Sequence, residues 1–420
     1  MTQVFSLTHY RYVALTTMII ALLASCSQRP DIYDTPPPPA PIVKPHPYTQ
    51  APATPAPEIS VPLVKEAPAA FTGTEVKAAI LLPLSGKASS IGKPMLDAAM
   101  LALFDKYASS PNSPVRIALM PKDTQGEANR AAKVAQDAID EGATIIIGPL
   151  FSDNARAVSK VAKASNVPVI SFSNNKNVAD SNTYLFGFMP DNQISTIITY
   201  ADQHDINTMA VLLPDTDYGR LVEELITDEA AQHGIRIIYA QRYDENSNAM
   251  SRDIQLFANK LKHEDIPPDA LFLAQQGAPL SVMLEQLKRY GYTSDAVQFI
   301  GTGLWDDAAL AQNNMLSGAW FASSPHSYFE PFNARFSNAE GYAPPRLASL
   351  SYDAVALVAT LADTQNFSAD AMTQPTGYIG PANGLFRLRR NGTIERELSV
   401  MSFENGKIVE KAPAKRMFYQ

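Results

Sequence analysis

The sequence predicts an α/β fold made of two doubly wound lobes with parallel sheets. Three observations support this prediction. Strand-like and helix-like segments alternate from about residue 75, they form two series that separate near Pro190, and a long apolar helix and a strand pair follow the second series. Such alternation is typical of parallel sheets that are connected by right-handed βαβ crossovers.

The first series contains four strands and three helices. Residues 76–84 are nearly all apolar, as expected for a strand covered on both faces. Pro94 suits the first turn of a helix, and Gly142 suits the end of another. The expected strands are Val76–Leu84, Val115–Met120, Thr144–Ile147 and Val167–Phe172, and the expected helices are Pro94–Tyr107, Ala128–Ile139 and Asp153–Ser165.

The second series repeats this pattern after Pro190. The expected strands are Met209–Leu213, Ile235–Tyr239, Ala270–Ala274 and Val297–Ile300, and helices are expected to begin near Tyr218, Asn248, Pro279 and Trp305.

The last part of the folded chain suggests that the lobes are not simply sequential. An apolar helix at Leu347–Ala362 fits the first lobe, and Asn391-Gly392 predicts a hairpin turn between Gly384–Leu388 and Glu397–Phe403. Several crossings between the lobes would form a hinge over a cleft. We expect lobe one at about 75–189 and 327–364, and lobe two at about 190–326 and 365–414.

The first 26 residues predict a signal peptide and a lipid anchor. Arg11 precedes the uncharged run Tyr12–Ser25, which is too short to span a bilayer but suits a signal peptide. The run ends in Leu23-Ala24-Ser25-Cys26, which resembles the lipobox of bacterial lipoproteins. The resemblance implies that residues 1–25 are removed and that lipidated Cys26 holds the protein in a bilayer. The alternative is a short buried helix with a chance cysteine.

Residues 27–70 contain 13 of the 32 prolines and no glycine. Because proline fixes φ and lacks a hydrogen-bond donor, neither a helix nor a sheet is expected there. We expect residues 26–74 to be a disordered, extended tether with an upper reach of roughly 130 Å. A ligand for a proline-binding partner is the alternative.

Composition excludes several classes of protein. A hydrophobic share of 46% excludes disorder throughout the 420 residues, and a net charge of −8 argues against a nucleic-acid partner. The single cysteine excludes a disulfide framework. No two of the six histidines have metal-ligand spacing, and common catalytic and nucleotide-binding motifs are missing from the sequence. We therefore expect a protein that is not an enzyme, with no catalytic residue, metal or cofactor.

Three segments carry a resemblance to a known fold: Ala79–Gly86, Ile147–Leu150 and Asp217–Gly219. They resemble type I periplasmic binding proteins of the leucine-binding class, and the resemblance covers about residues 75–410. It implies the type I periplasmic-binding-protein fold, with two doubly wound parallel-sheet lobes joined by a multi-strand hinge.

Within that superfamily, the lipobox, the tether and the residues from Gly384 to Val400 are similar to penicillin-binding-protein activators. Members of that group are outer-membrane lipoproteins that stimulate peptidoglycan synthases. The enteric activator has a helical-repeat domain where this sequence has the tether. The resemblance implies a lipid-anchored protein at the periplasmic face of the outer membrane, which Ser27 after the cysteine also favours, in direct contact with a synthase. The alternative is a solute-binding component of an ABC transporter for amino acids or related small molecules.

A small ligand would lie beyond the carboxyl ends of the strands, near helix N-termini that favour a carboxylate. The candidate ligand-binding residues are Ser85, Ser152, Ser171, Ser173, Asn174, Tyr218, Gln275, Trp305 and Asp306. The family pattern implies that Ser152 and Ser173 bind a carboxylate and that Tyr218 and Trp305 close over the ligand. Helix capping by Ser152 or Asp153 and core packing by Trp305 are the alternatives. Asp306 or Asp215 would bind an ammonium group.

Overall fold

The computed structural model describes residues 73–418. Two of the three sheets in this part, each covered by apolar clusters on both faces, form two lobes. Side chains along β1 (Thr74–Leu82) alternate between two clusters: Ile80 and Leu82 face one, and Ala79 and Leu81 face the other. This alternation is what a strand buried on both faces requires. The signal peptide, the lipidation at Cys26 and the tether were expected at residues that lie outside the described part, apart from the last two residues of the tether.

The first lobe is built on five parallel strands in the order β2-β1-β3-β4-β5. After β1 the elements are α1 (Ser89–Ser109), β2 (Val115–Asp123), α2 (Ala128–Asp140), β3 (Ile145–Ile147), α3 (Ser152–Ala164), β4 (Val169–Ser171) and β5 (Thr183–Leu185). Helix α1 begins five residues before the expected Pro94. Gly92 allows this start, because a Cβ atom there would lie 2.1 Å from the carbonyl oxygen of Pro83.

The second lobe is built on seven strands in the order β15-β14-β10-β9-β8-β6-β7. Strands β7, β6, β8, β9 and β10 are parallel, and β14 and β15 are added antiparallel. The elements before the chain returns to lobe one are α4 (Pro190–Asp202), β6 (Thr208–Pro214), α5 (Asp217–Gln232), β7 (Arg236–Tyr243), α6 (Ser247–Leu261), β8 (Ala270–Leu273), α7 (Gly277–Arg289), β9 (Gln298–Gly301) and β10 (Trp320–Ser323). Only short 3-10 turns stand where a helix was expected near Trp305.

The rest of the chain returns to lobe one and then completes lobe two. The remaining elements are α8 (His326–Glu340), α9 (Ala348–Asp363), α10 (Ala369–Met372), β11 (Tyr378–Gly380), β12 (Gly384–Leu388), β13 (Ile394–Arg396), β14 (Ser399–Glu404) and β15 (Lys407–Ala412). The hairpin at Asn391-Gly392 joins β12 to β13 rather than to 397–403, because β14 pairs with β10 instead.

The structure also departs from the expected lobe division. Phe386, Leu388 and Ile394 pack in the core of lobe one, although residues 365–414 were expected in lobe two. The chain crosses between the lobes at three places, namely residues 186–189, 324–325 and 397–398. Among residues 73–418, no helix is both long and apolar enough to span a bilayer.

Candidate ligand site between the lobes

A cavity of about 860 Å³ lies between the two lobes. This volume is in the range that holds a small organic ligand. All three crossings contribute to it, through Phe188, Ser324 and Leu398. Its other aromatic walls are Phe151, Phe172, Tyr218 and Phe329, and its polar residues include Asn174, Gln193, Gln276, Asp306, Ser323, His326 and Arg346.

Three of the nine predicted ligand-binding residues line this cavity. Asn174 follows β4 on lobe one, and Tyr218 lies in the first turn of α5 on lobe two. The Tyr218 hydroxyl donates to Thr302 Oγ1 at 3.0 Å, and burial raises the pKa of Tyr218. Asp306 is the third. Asn174 on lobe one and Tyr218 on lobe two therefore line the same cleft from opposite sides. The carboxylate of Asp306 is instead bound by other side chains.

The four predicted serines of lobe one do not line the cavity. Ser85 donates to Asp123 Oδ2 at 2.6 Å. Burial raises the pKa of Asp123, but hydrogen bonds from Ser85 and nearby backbone groups outweigh it and lower that pKa. Ser171 donates to the carbonyl of Pro149, and the oxygen of buried Ser173 accepts from the Asn175 backbone. These three hydroxyls thus stabilise the loops themselves.

Ser152 occupies the first turn of α3, whose N-terminus has no side-chain cap, so the capping alternative is not realised. Its neighbour Phe151 lines the cavity instead. The helix end therefore approaches the cleft through an aromatic ring.

Two predicted residues of lobe two are structural. Trp305 is fully buried in the core, and its Nε1 donates to the carbonyl of Gln275 at 2.9 Å. The Gln275 side chain donates to Tyr243, and its neighbour Gln276 lines the cavity. Trp305 does not close over the cleft. Its ring packs against Gly301 so closely that a Cβ atom at position 301 would lie 2.2 Å from the ring.

Asp306 connects the lobes instead of offering a free carboxylate. It lies 2.8 Å from Arg346 Nε and 2.7 Å from His326 Nε2, both on lobe one, and it accepts a hydrogen bond from Ser323. Burial alone would raise the pKa of Asp306, but the charge of Arg346 and the contacts with His326 and Ser323 hold it well below its ordinary value. With three partners already bound, Asp306 is a poor site for a ligand ammonium group.

Arg346 is held rigidly at the hinge end of the cavity. Its guanidinium carbon lies 3.9 Å from the centre of the Phe329 ring, and its Nη2 donates to the carbonyl of Ser324 at 3.4 Å. Its Nη1 is buried and has no hydrogen-bond partner within residues 73–418. Cation–π contact and the ion pair together fix the plane of the guanidinium.

Two further buried charged residues, Arg396 and Asp353, lie in lobe one. Arg396 is enclosed by Phe186 and Phe386, and its Nη2 donates to the Phe186 carbonyl at 3.1 Å. Burial lowers the pKa of Arg396 to about 10, against the charge of Asp353. Burial raises the pKa of Asp353 to about 6, although the Ala382 N–H and other partners oppose the rise. Arg396 thus contacts the first crossing through Phe186, and Asp353 on α9 is held by the Ala382 N–H and the Asn383 side chain.

Asp353 should make unfolding depend on pH. Its pKa of about 6 exceeds the ordinary 3.8. Between pH 3.8 and about 6, Asp353 is therefore protonated in the folded protein and ionised in the unfolded chain. Its contribution to stability is full below about pH 4 and is lost as pH rises through about 6, by about 3 kcal/mol. Chemical denaturation of wild type and Asp353→Asn from pH 4 to 7 should give a difference that falls with pH. A pH-independent difference would contradict this assignment.

Several cavity residues were missed by sequence reasoning. They are Gln193, Ser324, His326, Phe329 and Arg346, and most of them lie at a lobe crossing or between the second series and α9. The sequence signal that was available is Arg346 itself, a lone cation between Pro344-Pro345 and a long apolar helix. Within the described part of the chain, no group of three histidines or acidic residues is placed to bind a metal ion.

Comparison with known families gives one match over most of the chain. A family model described as periplasmic binding protein matches residues 75–407. An uncharacterised protein of Rickettsia prowazekii is 26% identical over 228 residues, which is 53% of this chain and 59% of that protein. The chain spans just over half the length of the first curated relatives it matches.

Solved structures share the fold over nearly their whole length. A branched-chain amino acid ABC transporter ligand-binding protein of Burkholderia xenovorans has a TM-score of 0.67 and 17% identity, covering 80% of this chain and 94% of its own. A substrate-binding protein of Desulfitobacterium hafniense in complex with leucine has a TM-score of 0.64 and 18% identity, covering 80% and 99%. A solute-binding protein of Rhodopseudomonas palustris in complex with 3,4-dihydroxybenzoic acid has a TM-score of 0.64 and 19% identity, covering 82% and 98%. These similarities confirm the predicted fold.

Proposed function

The chain belongs to the periplasmic binding protein family, and from this premise we propose that it binds a small ligand between its lobes. The observation that carries the proposal is the cavity of about 860 Å³, to which both lobes and all three crossings contribute. A ligand that contacts both lobes stabilises their closed arrangement, because it binds that arrangement better than an open one. The proposed activity is binding, without a chemical step.

The walls of the cavity favour a ligand with a compact apolar or aromatic body. Phe151, Phe172 and Phe188 come from lobe one, and Tyr218 and Leu304 come from lobe two. Aromatic walls bury large areas and favour stacked or edge-on contact with a ring. The relatives that bind leucine and 3,4-dihydroxybenzoic acid supply two reasonable probes.

Calorimetric titration of the purified protein with L-leucine, L-isoleucine and 3,4-dihydroxybenzoate tests the proposal. At least one probe should bind with measurable heat and raise the melting temperature. Phe188→Ala should weaken that binding by about 10- to 100-fold, because it removes an aromatic wall. Phe104→Ala is the matched control, since Phe104 is exposed on α1 outside the cavity. Equal affinities for both variants would place the site elsewhere, and no binding of any probe at millimolar concentration would argue against the proposal.

A second candidate function is contact with a peptidoglycan synthase from a lipid anchor. It is supported by the lipobox-like Leu23–Cys26, by the proline-rich stretch and by the similarity of residues 384–400 to the activator group. The tether expected from the sequence, with an upper reach of roughly 130 Å, would suit a protein that must meet a partner across the periplasm. Exposed Met100 and Phe104, one turn apart on α1, offer such a partner an apolar contact outside the cleft.

Retention of synthase periplasmic domains on the immobilised protein tests this second function. Retention that Met100→Ser with Phe104→Ser abolishes, and that ligand does not, supports direct contact through α1. A ligand-dependent rise in melting temperature with no synthase retained would support the solute-binding function and contradict the synthase contact. Mass spectrometry of the membrane-extracted protein tests the anchor, with acyl chains on Cys26 as the expected result.

A further inference from the structure

Two buried hydrogen-bond donors at the hinge end of the cavity have no partner within residues 73–418. They are Nη1 of Arg346 and the hydroxyl of Ser324, which is 1% exposed. Both residues line the cavity, and they are neighbours, since Arg346 Nη2 donates to the carbonyl of Ser324. Buried polar groups are nearly always hydrogen-bonded, and leaving one unpaired is costly. Two such donors on contacting residues therefore indicate a missing acceptor.

The surroundings make this acceptor an acid group rather than a neutral one. The Arg346 guanidinium is fixed by Asp306 through Nε and by the face of Phe329, so Nη1 keeps one orientation. A planar guanidinium beside a hydroxyl matches the two oxygens of a carboxylate, and hydrogen bonds to charged groups are the stronger kind. Phe188 lies beside the same guanidinium at 5.5 Å and continues the apolar wall.

We infer that Arg346 Nη1 and the Ser324 hydroxyl bind the carboxylate of the ligand, whose apolar or aromatic body lies against Phe188 and Phe172. This inference rests on the proposed function and names the class of ligand. It also moves the acid-binding position from the lobe-one serines to the hinge. Of those serines, Ser171 and Ser173 already have partners within their loops, and Ser152 does not line the cavity.

A carboxylate at this position would couple binding to the hinge. Ser324 lies in the second crossing, and Arg346 is paired with Asp306 across the lobes. The ligand would thereby add contacts to an existing connection between the lobes and favour their closed arrangement.

The test measures affinities of 3,4-dihydroxybenzoate, benzoate and L-leucine, and of benzamide as the neutral counterpart of benzoate. Arg346→Lys keeps a cation beside Asp306 but removes Nη1, and Ser324→Ala removes only the unpartnered hydroxyl. Each should weaken carboxylate binding by about 10- to 100-fold and leave benzamide binding unchanged. Arg335→Lys, in an exposed pair with Asp105, and Ser152→Ala are the controls and should retain wild-type affinity.

The outcomes separate this inference from the proposed function. Carboxylate binding that both hinge variants weaken and both controls preserve supports the inference. Carboxylate binding that is unchanged in Arg346→Lys and Ser324→Ala, or that is lost in Ser152→Ala, overturns it while the proposed function stands. Benzamide binding as tightly as benzoate also overturns it. Absence of binding by every probe overturns both. Because Ser324→Ala leaves the ion pair intact, the result does not depend on the folding of the Arg346 variant.

Discussion

Replacing Asp306 by alanine should lower the free energy of unfolding by about 3–5 kcal/mol. The side chain is 4% exposed and is the carboxylate partner of Arg346 and His326. Removing it leaves Arg346, whose side chain is only 17% exposed, without a counter-charge. Breaking a buried pair costs more than the pair contributes, since an uncompensated charge remains. Denaturant unfolding at neutral pH measures the effect.

Asp363→Ala is the matched control for this experiment. Asp363 lies 2.6 Å from Lys106 in an exposed pair, and its loss should cost less than about 1 kcal/mol. Combining Asp306→Ala with Arg346→Met should recover part of the lost stability, because no unpaired charge then remains in the hinge. Equal losses for Asp306→Ala and Asp363→Ala would show that Asp306 is not a buried connection between the lobes.

Replacing Trp305 by alanine should also cost about 3–5 kcal/mol, because it empties a large space in the core of lobe two. Its Nε1 hydrogen bond to Gln275 is lost as well. Trp305→Phe should keep most of the stability and keep ligand affinity within a few-fold. Denaturant unfolding together with calorimetric titration gives both quantities.

Phe151→Ala provides the opposite result in the same experiment. Phe151 is exposed and lines the cavity, so its loss should weaken ligand binding and cost little stability. Strong loss of affinity in Trp305→Phe, with little change in stability, would mean that Trp305 covers the ligand as the family pattern implies.

Much of the fold was accessible from the sequence, because strands buried on both faces and amphipathic helices leave clear periodicities. The run at 76–84 and the small apolar residues of 128–139 are examples, and both elements are present. The sheet positions of the antiparallel strands β14 and β15 were harder to predict. Strand β14 follows a hairpin signal immediately, yet it pairs with β10, nearly eighty residues earlier, and local patterns carry no information about such a partner.

The candidate site could be predicted only in part from the sequence, for a related reason. The loops after parallel strands suggested Asn174 and Tyr218, and both residues line the cavity. Arg346, Ser324 and Phe188 enter the cavity because three crossings meet there, and this meeting depends on the path of the whole chain. Trp305 and Asp306 were predicted as ligand contacts because they follow a predicted strand, but Trp305 is buried in the core and Asp306 is paired across the lobes.

The crystal structure of the protein with saturating 3,4-dihydroxybenzoate or L-leucine, whichever binds in calorimetry, tests the central claim most directly. We expect ligand density between the lobes, in contact with Phe188 and Tyr218, with its carboxylate within hydrogen-bond distance of Arg346 Nη1. Density for the bound ligand outside this cavity, with the cleft between Phe188 and Tyr218 empty, would contradict the account.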